Sequence, residues 1–314
     1  MTTPAFRFSR RSFLAAAALA SAAPAAATGR ASRAVRTPPG GPAAGQAPQT
    51  SVRSGSLGAR VRTMPLAATL DHPQGITASA DGATWYVSSV LRQARKGLLV
   101  AFRAADGGVL QRVEVQDGPR YHPGGLGRAG DVLWLPVAEY RRASTSVIQA
   151  RDARTLALQR SFAVADHIGA VAVTTAGALI GCNWDARVFY EWTADGVETR
   201  RVDHLGAARY QDLHWTGETL LAGGLLGDDG VVDTLEWPSL DLRERIVAGK
   251  TDRGVVLTHE GLAVAGRELL LMPEDDPSRV FVYAWSGPQA PEVAPQPDPR
   301  TAEPEKSLFK KPQP

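Results

Sequence analysis

Four histidines and one tyrosine recur along the chain at near-even intervals, each within a short segment that carries a glycine or an aspartate two or three residues later. His72 stands in Asp71-His72-Pro73-Gln74-Gly75-Ile76, His122 in Tyr121-His122-Pro123-Gly124-Gly125-Leu126 and His167 in Asp166-His167-Ile168-Gly169-Ala170-Val171. Tyr210 takes the histidine's place in Arg209-Tyr210-Gln211-Asp212-Leu213, and His259 follows in Thr258-His259-Glu260-Gly261-Leu262, one residue shorter before the apolar position. Neutral imidazoles are good ligands for zinc, copper, iron and nickel. If the repeat brings them to one place, His72, His122, His167 and His259 can hold one divalent transition metal, with Tyr210 interrupting the set. A repeated histidine also suits a plainer role, bonding the backbone of its own turn as Asn and Asp do.

A second set of groups is rich in oxygen. Glu260 follows His259 directly, and Asn183, Asp185, Glu274 and Asp275 stand in polar segments after apolar runs. Carboxylates and amide carbonyls are calcium ligands, so calcium is the alternative ion. Glu260 and Glu139 are the candidate acid–base residues, while Tyr210, Tyr140, Arg141, Asn183, Trp184, Asp185, Glu274 and Asp275 are candidate ligand contacts. Trp184 lies between Asn183 and Asp185, where an aromatic face can stack on a planar or sugar-like molecule. No nucleophile elbow, phosphate-binding glycine loop, zinc-spaced cysteine pair or His-Glu-x-x-His run is present, which disfavours covalent Ser or Cys catalysis. Cys182 is the one cysteine, which excludes an intrachain disulfide.

These residues must be positioned by a repeated element. The spacings between the five positions are 50, 45, 43 and 49 residues, a period of about 47 that matches the blades of a β-propeller. Each copy continues with an apolar strand, a turn glycine (Gly82, Gly130, Gly177, Gly217, Gly266) and a second apolar strand, which reads as a hairpin. A third and a fourth strand follow in most copies, across turns such as Ala105-Asp106-Gly107 and Ala194-Asp195-Gly196. The fifth copy stops after its third strand, whereas Ala59-Arg60-Val61-Arg62-Thr63-Met64 reads as an unpaired fourth strand ahead of the first histidine. The expectation is an all-β, five-bladed propeller whose last blade is closed by the N-terminal strand, which removes open sheet edges. Six blades are left open, although no sixth copy is visible. In such a ring the five recurring positions surround one mouth of the central channel.

The segment from His72 to Val87 resembles the repeats of the NHL and gluconolactonase-like propeller superfamily through Pro73, Gly75, Ile76, Asp81 and Gly82. The dipeptide Glu260-Gly261 is similar to the acidic start of an inner strand in gluconolactonase-like enzymes, where that residue binds a divalent ion. The resemblance implies a fold, and with it two functional expectations. One is a metal-dependent hydrolase of a small lactone, ester or sugar-like substrate. The other is a non-catalytic binding or protein-interaction propeller.

The ends carry different information. Phe8-Ser9-Arg10-Arg11-Ser12-Phe13-Leu14 and the Ala-rich stretch behind it are similar to a twin-arginine signal peptide, read over residues 1–27. Export to the periplasm or beyond is expected, and no later apolar run is long enough for stable membrane insertion. Residues 28–58, rich in Pro, Ala and Gly, and residues 287–314, rich in Pro with scattered charges, read as a disordered linker and tail around a propeller domain at 59–286. Without Arg7, Arg10 and Arg11 the chain holds 32 basic residues against 32 acidic ones. A charge balance of this kind argues against nucleic acid as a partner; a small molecule or metal ion and a monomeric state are expected.

Overall fold

The computed structural model describes residues 52–288, so the export segment, most of the linker and most of the C-terminal tail lie outside the described residues. Five separate sheets follow one another in chain order and build a five-bladed β-propeller. Blade 1 runs through Pro73–Ala78, Thr84–Leu91, Lys96–Arg103 and Val109–Glu114. Blade 2 has its inner strand split into His122–Pro123 and Gly127–Ala129, followed by Val132–Ala138, Ser146–Asp152 and Leu158–Val164. Blade 3 comprises Ile168–Val173, Leu179–Asn183, Val188–Trp192 and Glu198–Asp203. Blade 4 comprises Arg209–Trp215, Thr219–Leu226, Asp229–Glu236 and Leu242–Val247. Blade 5 supplies Gly261–Ala265, Glu268–Met272 and Arg279–Ala284 from the end of the chain, and Arg60–Pro65 from its beginning.

The closure expected from the sequence is therefore present: Met64 pairs with Val280 and Thr63 with Phe281 in an antiparallel ladder. One boundary differs. Arg53–Gly55, inside the stretch read as linker, adds a fifth strand parallel to the outer strand of blade 4, with Ser54 opposite Arg245. This segment has few apolar side chains because only its backbone is needed for pairing at a sheet edge. The ordered part thus begins before residue 59.

Middle strands are buried on both faces and read as apolar runs, such as Gly97 to Phe102 in Lys96–Arg103, whereas the outer strand Val109–Glu114 is largely exposed. Side chains from facing sheets form a separate apolar cluster at each of the five junctions between blades. Trp85, Trp134, Trp192 and Trp285 are buried within these clusters. Hydroxyl groups also cross the junctions. Ser88 donates to Gly124 O at 2.7 Å, Ser146 to Asp166 O at 2.8 Å and Thr258 to Gly224 O at 2.8 Å. No described helix is long and apolar enough to cross a membrane.

Around the axis the repeat places Gly75, Gly125, Ala170, Asp212 and Gly261, one from each blade. Five blades leave a narrow centre, and only small side chains fit there. A Cβ on Gly75 would lie 2.4 Å from Gly125 Cα, and one on Gly125 would lie 2.1 Å from Asp212 Oδ1. Asp212 is the filler. Its carboxylate accepts N–H groups from Ile76 at 3.1 Å, Leu262 at 2.9 Å and Leu213 at 2.9 Å, joining blades 1, 5 and 4. Burial raises its pKa well above the ordinary carboxylate range, against the opposing effect of those three bonds.

Gly125→Ala should push against Asp212 and lose about 2–4 kcal/mol of stability, the range for overpacking combined with damage to a buried polar network. A urea midpoint within error of the wild type would show that the axis is looser than described.

Candidate functional site

Each inner strand begins at the same mouth, and the second strand returns to it, so that mouth collects the residues just before inner strands and just after second strands. Here His72, His122 and His167 come together, joined by Tyr140 and Trp184 from the returning loops. The group is not one four-imidazole cage. It separates into two neighbouring sets.

The first set is His72, Glu260 and Glu274, whose ligand atoms all lie within 4.8 Å of one another. Among the described residues it is the single cluster of three or more His, Cys, Asp or Glu side chains with that spacing. Nδ1 of His72 is 3.0 Å from Glu274 Oε2 and 3.9 Å from Glu260 Oε1. His259 Nδ1 stands 3.0 Å from the same Glu260 oxygen, and its side chain is 39% exposed. Gln74 donates to the other Glu260 oxygen at 3.2 Å, and Arg92 bonds Glu274. Burial raises the pKa of Glu260, only partly offset by the bond from His259 and the charge of His72. Burial alone would raise Glu274 as well, but His72 and Arg92 outweigh it and hold that carboxyl low. The bond to Glu260, with that carboxylate's charge, raises His259 against the effect of burial. One imidazole and two carboxylates from blades 1 and 5 are a donor set suited to zinc, manganese or iron.

The second set is a relay of two imidazoles. His167 Nδ1 lies 2.9 Å from Arg141 O, and a carbonyl only accepts, so His167 carries its proton on Nδ1. Its Nε2 then accepts from His122 Nδ1 at 3.3 Å. The consequence is that His122 presents an unprotonated Nε2, buried and without a protein partner. Burial, with the two neighbouring histidines, holds His122 well below its ordinary pKa. Tyr140 lies 4.4 Å from the His122 ring and Trp184 lies 4.5 Å from His167, ring centre to ring centre.

Several residues singled out from the sequence have other duties. Tyr210 is buried, and its hydroxyl donates to Asp233 at 2.6 Å between blades 3 and 4. Blade 4 has one residue fewer between Tyr210 and the axial Asp212 than blade 1 has between His72 and Gly75, and a one-residue change of register turns a strand side chain to the other face. Asp275 is buried against Arg279 and Arg253. Asn183 builds its own loop, accepting from Arg187 N and Val188 N, both at 2.9 Å. Asp185 pairs with Arg142. Glu139 is tied to Arg141 at 2.9 Å and to Thr145 at 3.2 Å, away from the carboxylate cluster. Arg141 contributes its carbonyl to the relay rather than its guanidinium to a ligand. Of the oxygen donors considered for calcium, Glu260 and Glu274 come together, while Asn183, Asp185 and Asp275 are held by other partners. Cys182 is fully buried, and burial pushes its thiol pKa up, as fits a core residue.

Two cavities lie away from this mouth. One of about 280 Å³ opens at the other end of the channel, where His214 and Arg128 line it. No feature of the repeat pointed there, because His214 follows the axial Asp212 rather than preceding it.

The chain is a five-bladed β-propeller with a His–carboxylate cluster at one mouth. Residues 51–205 match the model of a family described as a family of unknown function (DUF6454). Among solved structures the chain is similar to the glutaminyl cyclase of Myxococcus xanthus, with 13% identity and a TM-score of 0.57 over 74% of this chain and 97% of that one. The PQQ-bound aldose sugar dehydrogenase of Streptomyces coelicolor is also similar, with 10% identity and a TM-score of 0.47 over 72% of this chain and 97% of that one. At these identities the glutaminyl cyclase likeness shows the fold alone. No curated protein sequence matches the chain.

Burial lowers the pKa of His122, His167, His204 and His214, the last to about 4 with help from the charge of Arg128. For a histidine depressed from 6.5, the unfolded chain takes up protons first as pH falls, so stability is full above the unfolded pKa and declines below it. His259, shifted upward, works in the opposite direction. Urea midpoints should fall between pH 7.5 and 5, and His214 alone accounts for roughly 2 kcal/mol of that decline. The His214→Asn variant should show a shallower slope; an unchanged slope would remove His214 from the account.

Proposed function

We propose that this propeller binds one divalent transition-metal ion at the mouth through His72, Glu260 and Glu274, with His259 bonded to Glu260 behind them. The observation that carries the reading is the approach of three ligand atoms to within 4.8 Å, one of them on a buried carboxylate. Arg92 balances Glu274, but Glu260 is buried with only imidazoles and an amide beside it, which is costly without a further cation. A metal at such a centre supplies Lewis acidity and activates water. The remaining residues serve a small molecule beside it. Tyr140 and Trp184 form an aromatic wall, and His122 offers a fixed acceptor to an O–H or N–H group, with His167 and the Arg141 carbonyl as positioning groups. The reading favours hydrolysis of a small lactone, ester or sugar-like substrate. The similarity to a glutaminyl cyclase supports the scaffold and carries no reaction at 13% identity.

The twin-arginine pattern, which marks proteins exported after folding, supports a protein that takes up its ion in the cytoplasm and works outside it as a monomer. Its partner in this reading is the small molecule and not nucleic acid or a bilayer.

Elemental analysis of protein purified without chelators or metal columns should give about one transition metal per chain. His72→Ala and Glu274→Gln should each lower occupancy at least tenfold, with far-UV circular dichroism unchanged because both side chains sit at the rim. Calcium alone would overturn the transition-metal reading in favour of a carboxylate-bound calcium ion, and no metal at all would overturn it in favour of a non-catalytic binding propeller.

A further inference from the structure

The second cavity lies between the outer strand of blade 3 and blade 4, and its volume is about 280 Å³. An apolar cavity of roughly 150 Å³ takes up benzene, so this one has room for a substituted ring. Its wall is apolar over Ala208, Leu235, Leu240 and Leu242, with Tyr210 beside them. Leu205 stands at its rim and is 95% exposed, an apolar side chain that an occupant would cover.

One buried polar group in this wall keeps an unused acceptor. His204 is only 7% exposed, and its Nδ1 lies 2.8 Å from Ala186 O, so the proton sits on Nδ1 and Nε2 keeps its lone pair. Among the described residues nothing bonds that Nε2. A Cβ on Gly206 would lie 2.5 Å from it, so the missing side chain is what leaves the nitrogen open to the cavity. Arg187 fixes the connection between the blades by bonding Gly206 O at 2.6 Å and also Ala208 O. The remaining polar groups of the wall are committed or exposed. The Tyr210 hydroxyl donates to Asp233 at 2.6 Å, and Arg245 bonds the same carboxylate at 2.8 and 2.6 Å. Asp203 and Asp241 are exposed at the rim.

These charges select a neutral occupant. Burial lowers the pKa of His204 against its bond to Ala186 O, and the charges of Arg187 and Arg245 act in the same direction as burial. The same two charges oppose a cation beside the ring, while Asp233 acts the other way and is paired with Arg245. An anion would meet the Nε2 lone pair and the two rim carboxylates. A phenol O–H, more acidic than that of an alkyl alcohol, is a neutral donor suited to such an acceptor, and its ring suits the leucine wall.

We infer that the cavity between blades 3 and 4 is a binding site for a small neutral phenol, whose O–H donates to His204 Nε2 and whose ring lies against Leu235, Leu240 and Leu242. The site is distinct from the metal cluster and does not depend on it.

The test uses 4-fluorophenol as the probe and 4-fluoroanisole, which has the same ring and no donor, as its counterpart. On the full chain 4-fluorophenol should give a saturable fluorine shift and move the His204 ring nitrogen signals, with a millimolar or lower dissociation constant. The anisole should bind about tenfold more weakly, the loss expected when a buried acceptor is left unmet. His204→Phe, which keeps a ring and removes the acceptor, should weaken the phenol by a similar factor. That variant also loses the bond to Ala186 O, so Gly206→Ala, which sets a methyl group against Nε2 from an exposed loop, should weaken the phenol as well. His122→Ala should leave the affinity unchanged, which separates this cavity from the aromatic mouth, and metal content should stay at the wild-type level in His204→Phe and Gly206→Ala. Equal binding of phenol and anisole would overturn the inference. So would loss of phenol binding in His122→Ala with retention in Gly206→Ala, or no saturable shift at His204 up to about 20 mM phenol.

Discussion

One carboxylate on the propeller axis sets much of what surrounds it. Asp212 takes a backbone N–H from each of blades 1, 4 and 5, so blades distant in sequence are referred to one pair of oxygen atoms. The carboxylate occupies the space that Gly75 and Gly125 leave open, whereas a Cβ on Gly261 would meet Ile76 and Gly75 of the next blade. The inner strands are thereby fixed in height along the axis. Residues that precede the ring emerge at one mouth and residues that follow it emerge at the other, which is why the His–carboxylate cluster and the His214 cavity share a scaffold but not a chamber. Closing a ring of only five blades demands this economy, since the inner strands approach to backbone contact.

The mouth shows how the same repeat yields unequal chemistry. His72, His122 and His167 precede their axial residues by the same interval, yet their partners differ. His72 meets two carboxylates, because the neighbouring blade brings Glu260 and Glu274 to it. His122 and His167 meet each other and a carbonyl, which leaves one lone pair directed by a chain of fixed tautomers. The acid-rich and imidazole-rich halves of one mouth arise from variation around a common turn.

The architecture was largely legible in the sequence because each blade repeats the same punctuation. The missing fourth strand of blade 5 and the spare strand before His72 identified the closure. The location of the site was legible for the same reason, but its composition was not. Spacing alone suggested four equivalent imidazoles and a tyrosine, whereas the axial residue defines the true register. Counted from Asp212, Tyr210 is one position short of the histidines, so it turns between blades and bonds Asp233. Counted from Gly261, His259 is short as well and meets Glu260 at the rim. Glu274 was recognised as one of several loop acids, and only the fold separates it from Asp275, which faces the opposite way into Arg279. Arg53–Gly55 escaped notice because a strand that joins an edge through its backbone leaves little trace in side-chain pattern.

The pairing of Arg60–Pro65 with Arg279–Ala284 bears on how the molecule is made. The strand that seals the ring precedes blades 1 to 4 in the chain, and the partner it must meet follows them. During translation the opening strand has no sheet to join, and blade 5 offers a bare edge until the final strand is in place. The ring cannot close before residues 279–284 are made, and the contact that closes it is long-range. A chain released before residue 279 would leave that edge open, in a form suited to pairing with other chains rather than with itself.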